Sequence, residues 1–112
     1  MKEGDIVLTP LPQANGVLKN RPAIALCRMP PFGDWLVCGV STQLRQRVAE
    51  LDEVIDVSDG DFVASGLKAA SLIRLGFLAV MPTAKFLGAI GSISDERRVR
   101  LLRRLSDYLR AR

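Results

Sequence analysis

The 112-residue chain contains no histidine. That absence removes the serine and cysteine triads, the histidine-pair ribonucleases and most zinc hydrolases. If the chain is an enzyme, it works with carboxylates, hydroxyls, arginine or lysine. Cys27 and Cys38 are the only thiols. Neither belongs to a CxxC pair, and both sit in apolar, strand-like runs, so they read as buried free thiols acting as small hydrophobes. No metal site and no cofactor are expected from this inventory.

The remaining polar groups with chemical potential sit at the edges of apolar runs. Arg21 opens one run, directly after a loop that carries Lys19. Ser41 and Thr42 close another, followed by Gln43, and Arg74 interrupts a third. A charged side chain within an apolar run must find solvent or a partner. Taken one at a time, these are a strand-edge arginine, a hydroxyl that bonds a turn, and an arginine in a surface or interface ion pair. Their chemistry also suits phosphate. The guanidinium fork matches two phosphate oxygens, and a hydroxyl can hydrogen-bond a scissile phosphate or a leaving oxygen.

The elements that must position these residues are mostly strands. Residues 5–9 form a first strand, and the Pro-, Asn- and Gly-bearing stretch 10–20 a loop. Pro22 lacks an N–H and belongs at a strand's start or on an edge, so 23–27 is the second strand. Residues 29–34 turn, 35–40 form a third strand, and 43–51 read as loop or short helix. Residues 54–57, 71–81 and 87–93 read as further strands, the last bent at Gly88 and Gly91. Ser94 is a good N-cap, with Asp95 and Glu96 in the first turn. Val99, Leu102, Leu105 and Leu109 follow at helical spacing, with arginines on the other face. One domain covering 1–112 is expected, a small barrel or twisted sheet closed by a C-terminal amphipathic helix.

The net charge of +4 is uneven. Residues 94–112 carry seven arginines against three carboxylates, whereas residues 1–93 are balanced. The segment 50–61 holds six acidic residues and no basic one. A solvated helix face explains the basic terminus as well as nucleic-acid binding does. Trp35 and Phe32 flank the 29–34 turn. Trp35 reads first as a core anchor and second as the edge of a stacking surface. There is no apolar run of membrane-spanning length, and the polar N-terminus is unlike a signal peptide, so the expected address is the cytoplasm.

Several pieces, in order, resemble the MazF/PemK (Kid) toxins of type II toxin–antitoxin systems. Gly4-Asp5-Ile6-Val7, a loop and Arg21-Pro22-Ala23-Ile24-Ala25-Leu26 resemble the family's opening. Val37-Cys38-Gly39-Val40-Ser41-Thr42-Gln43 resembles its third strand. Gly66-Leu67-Lys68, Ser71-Leu72-Ile73-Arg74-Leu75 and Gly88-Ala89-Ile90-Gly91-Ser92-Ile93-Ser94 resemble its later segments. The similarity spans nearly the whole chain.

The resemblance implies an SH3-like barrel of the MazF/Kid/CcdB type, mainly β, that forms a homodimer. It implies an endoribonuclease (mRNA interferase) that cuts single-stranded RNA without a metal. In that chemistry the ribose 2′-OH attacks the adjacent phosphate, leaving a 2′,3′-cyclic phosphate and a 5′-OH. A small antitoxin protein would inhibit it. Arg21, Ser41 and Arg74 match arginine and threonine positions implicated in the family's catalysis, and Thr42 stands beside Ser41 as a further catalytic candidate. Lys19, the one basic residue of the substrate-contacting loop, and Gln43, which could bind phosphate or base, are the substrate-binding candidates. Two departures stand out. Serine replaces threonine at position 41. Gly76 occupies the position where the Kid branch carries an aspartate proposed as general base, which leaves Asp5, Asp34 or a loop carboxylate as alternatives. The related CcdB toxins use the same barrel to bind DNA gyrase without catalysis, and that reading, or a catalytically weak member, is the alternative.

Overall fold

A computed structural model describes residues 1–12 and 14–112. Gln13, within the expected 10–20 loop, lies outside the described residues. The strands are β1 (Asp5–Pro12), β2 (Leu18–Met29), β3 (Asp34–Ser41), β4 (Glu53–Ile55), β5 (Ser71–Met81) and β6 (Gly88–Ser92). A single turn, α1 (Phe62–Ser65), precedes β5, and α2 (Asp95–Arg110) ends the chain. Among the described residues, no helix is long and apolar enough to cross a membrane.

The strands form one curled antiparallel half-barrel in the order β4-β5-β3-β2-β1-β6. β1 and β2 run further into the 10–20 segment than expected, because their ladder continues out to Pro12 opposite Leu18. Side chains alternate between the two faces of a strand, and here both faces are covered. Ile6, Ile24, Leu26, Cys38, Ile73 and Leu75 pack with Leu101 and Leu105 of α2. Val7, Ala23, Ala25, Trp35 and Val37 pack on the other side with Phe77 and Phe86. Two buried faces explain why these strands read as continuous apolar runs rather than alternating ones. Trp35 is a core residue, 1% exposed, and its indole Nε1 donates to Thr83 Oγ1 at 3.0 Å. Cys38 is buried and Cys27 half-buried, both as free thiols. Burial pushes the Cys38 thiol up to about 12.

Helix α2 begins as expected, with Ser94 Oγ accepting from Arg97 N at 3.1 Å. Its buried face differs from the expected seam. Arg97, Leu101 and Leu105 are buried, whereas Val99 and Leu109 are exposed. The rotation follows from Arg97, whose guanidinium meets Asp61 at 2.8 Å, Glu53 at 2.7 Å and Asp59 at 2.9 Å. Arg100 also pairs with Glu53, at 2.8 Å. Arg104 donates to the carbonyls of Ala49, Leu51 and Asp52. The basic helix and the acidic 50–61 segment are thus partners. Asp61 is raised by burial, but the Arg97 hydrogen bond and charge and the Ser94 N–H outweigh that, and its carboxyl titrates below its ordinary value.

Two backbone approaches fix α1 against β6. Gly66 closes α1 with a φ of +72°, and a Cβ there would lie 2.0 Å from Ile90 O. A Cβ on Gly91 would lie 2.3 Å from Ala64 O. Only residues without a side chain fit this contact.

The ladder between β3 and β5 breaks once. Cys38 is opposite Leu78, yet Gly39 is opposite Arg74, so Leu75, Gly76 and Phe77 have no partners on β3. Such breaks bend a strand and re-aim its side chains. The freed Leu75 N–H donates to Asp52 Oδ1 at 3.1 Å. The other oxygen of this 3%-exposed carboxylate accepts from Val48 N at 3.0 Å.

Asp52→Ala leaves the buried Leu75 N–H and the part-buried Val48 N–H without their acceptor. Unpaired buried groups of this kind cost about 1–3 kcal/mol each, and a urea melt should show a total loss of about 3 kcal/mol. Asp61→Asn should destabilise the protein at neutral pH. The lowered Asp61 carboxyl contributes stability that is complete above its unfolded value of 3.8. That contribution is lost as pH falls through the lower folded value. The gap in urea midpoint between wild type and Asp61→Asn should therefore close on acidification below that range.

Candidate active site

Register alone brings three of the candidate side chains to one face. Residues directly opposite in an antiparallel pair share a face, as do residues two apart on a strand. Ala23 is opposite Gly39, and Gly39 is opposite Arg74. Two positions beyond the Ala23–Gly39 pair stand Arg21 on β2 and Ser41 on β3. Arg21, Ser41 and Arg74 therefore project from three neighbouring strands on the side that carries Ala23, Ala25 and Val37. Where that apolar face ends, a cleft of about 300 Å³ opens.

Five of the six residues singled out in the sequence line this cleft: Arg21, Ser41, Thr42, Gln43 and Arg74. Lys19 does not. It stands exposed on β2 opposite Leu11, towards the hairpin end. Phe77 and Gly39 form part of the wall. The Phe77 ring lies 3.4 Å from where a Gly39 side chain would begin. The Arg74 guanidinium sits over that ring, 5.8 Å from its centre. An arginine stacked on an aromatic face keeps its charge and its outer donors available. Arg74 makes no ion pair among the described residues, so the solvent-or-partner requirement is met by the cleft and the ring.

The hydroxyl on β3 is also oriented. Ser41 Oγ accepts from the Gln43 backbone N–H at 3.1 Å. A hydroxyl that accepts in this way retains its own hydrogen for donation. The next residues form a 3₁₀ turn, Leu44–Gln46, whose last residue also lines the cleft. Gln46 carried no signal in the sequence. It lies in a segment of mixed character, and only the fold of the turn brings it to the site.

The carboxylate alternatives for a general base are corrected by the geometry. No carboxylate lines the cleft among the described residues. Asp5 pairs with Ser92 at the far side of β1. Burial raises its carboxyl, but the Lys2 backbone and ammonium hydrogen bonds outweigh that and lower it. Asp34 pairs with Met29, at the opposite end of β3 from Ser41. Gly76 is exposed and outside the cleft. No cluster of three or more metal-ligating side chains occurs among the described residues. The wall instead offers two guanidiniums, hydroxyls and amides, a donor set suited to an oxyanion.

No protein family profile matches the sequence, and no curated protein matches it. Solved structures do. The Mycobacterium tuberculosis toxin MazF-mt6 superposes with a TM-score of 0.67 over 92% of this chain and 93% of that one, at 18% sequence identity. At such identity the likeness is one of architecture. The curled antiparallel half-barrel with its C-terminal helix is the fold of a MazF-type toxin.

Proposed function

We propose that this protein is a toxin endoribonuclease that cuts single-stranded RNA by transfer to the ribose 2′-OH, without a metal. The observation that carries this reading is the convergence of Arg21, Ser41 and Arg74, from three separate strands, on one cleft that no carboxylate lines among the described residues.

In this reaction the 2′-oxygen bonds to phosphorus and the bond from phosphorus to the 5′-oxygen breaks. The proton on the 2′-OH leaves, and one is delivered to the departing 5′-oxygen. Negative charge accumulates on the non-bridging oxygens in the transition state. Arg21 and Arg74 face that charge with fixed donors, which cost no reorganisation when the charge develops. Ser41 donates its remaining hydrogen to a phosphate or leaving oxygen, and Thr42 supports it. With no carboxylate in the cleft among the described residues, the 2′-OH proton passes to water, and water returns a proton to the 5′-oxygen. The cleft supplies donors at the scissile phosphate, whereas Arg97, Arg100 and Arg104 of α2 are engaged by the 49–61 segment. The protein acts in the cytoplasm as a homodimer, and a small antitoxin neutralises it by occupying the cleft.

Cleavage of a long single-stranded RNA in EDTA tests this. Wild type should cut. Arg21→Ala and Arg74→Ala should each lose about 10²–10³-fold in rate, the cost of removing one oxyanion donor. Equal cleavage by wild type and Arg21→Ala, or no cleavage by wild type, overturns the assignment.

A further inference from the structure

The cleft has two chemically different halves. One presents Arg21, Arg74 and the hydroxyls. The other presents Gln43 and Gln46, which stand at the start and end of the Leu44–Gln46 turn. In a 3₁₀ turn, side chains three residues apart eclipse one another. The 3.1 Å hydrogen bond from Gln46 N to Gln43 O shows that geometry here. Two primary amides thus share one side of a turn, at the edge of an anion site. Both side chains are exposed, and neither amide is hydrogen-bonded among the described residues.

The turn is closed by its own backbone and the segment that follows it is tied down. Val48 N donates to Asp52, Arg104 donates to the Ala49 and Leu51 carbonyls, and Arg47 N donates to Leu44 O at 3.2 Å. A pair of amides on a fixed turn needs little further ordering to bind. Amides both donate and accept, as do the edges of an unstacked base. Glutamine and asparagine recognise bases through such paired bonds. Phosphate, by contrast, only accepts, and the arginine half already supplies it with donors.

We propose that Gln43 and Gln46 form a base-reading subsite, in which the Gln46 amide selects the nucleobase beside the scissile phosphate. This rests on the reading of the cleft as a ribonuclease site, and it adds the substrate's sequence to it. The expected consequence is that Gln46 governs where the RNA is cut rather than how fast.

The test is cleavage of a randomised single-stranded RNA pool, with the cut ends sequenced, for wild type, Gln46→Ala, Gln46→Glu and Gln43→Ala. Wild type should favour particular bases beside the cut. Gln46→Ala should relax the preference at one flanking position by about tenfold or more, the discrimination expected of a paired amide–base contact. The loss should fall on the sites with the preferred base, and cleavage at the disfavoured sites should change little. Gln46→Glu should shift the preference towards bases that present a donor, because a carboxylate only accepts. Gln43→Ala should relax the same or the adjoining position. An unchanged cut profile in the Gln46 variants, or a uniform loss at all sites, overturns the subsite while leaving the nuclease assignment standing. No cleavage by wild type overturns both.

Discussion

Asp52 accepts one hydrogen bond from the Val48 N–H and one from the Leu75 N–H, and so ties the segment after β3 to the break in β5. Its carboxylate is almost wholly buried, where an unsatisfied polar group is costly. The two bonds remove that cost and fix both segments at once. On one side of this tie lies the turn that carries Gln43 and Gln46. On the other lie Arg74, which the resumed ladder sets opposite Gly39, and Phe77, which covers that glycine. Without the break, β5 would continue in register from Leu78, and Arg74 would not stand opposite Gly39.

The charge distribution is settled inside the fold. Arg97 is buried among Asp61, Glu53 and Asp59, and Arg100 shares Glu53. Breaking a buried pair from one side leaves the other charge stranded, which costs about 3–5 kcal/mol, so the helix and the acidic segment are mutually obligatory. This pairing also turns the helix. It draws Arg97 inward, along with Leu101 and Leu105 one and two turns later, and leaves Val99 and Leu109 outside. Through Arg97, Arg100 and Arg104 the basic terminus is therefore a clamp on the 49–61 segment.

The strands were legible because apolar runs bounded by Pro, Gly and Asn carry that signal, and the helix because of its cap. The helix's inner face was not. Hydrophobic periodicity alone chose Val99 and Leu109, since no local pattern shows that an arginine is buried by carboxylates 36 to 44 residues away. The site was half legible. Arg21, Ser41 and Arg74 could be picked out by type and by resemblance, but their meeting depends on a three-strand register that sequence does not display. Gln46 was invisible, because a short 3₁₀ turn has no periodicity of its own. The position of Gly76 suggested a missing base. The structure places that residue outside the cleft, so the lack of a carboxylate there is a property of the whole wall.

In the proposed reaction the RNA supplies its own nucleophile and the protein supplies the donors that stabilise the charge. An RNA oligonucleotide with one 2′-deoxy sugar at the preferred cut site tests it directly. The all-ribose strand should be cut to a 2′,3′-cyclic phosphate and a 5′-OH, and the deoxy substitution should abolish the cut at that bond alone. Cleavage of the deoxy strand at a comparable rate, or products ending in a 3′-OH, would contradict it.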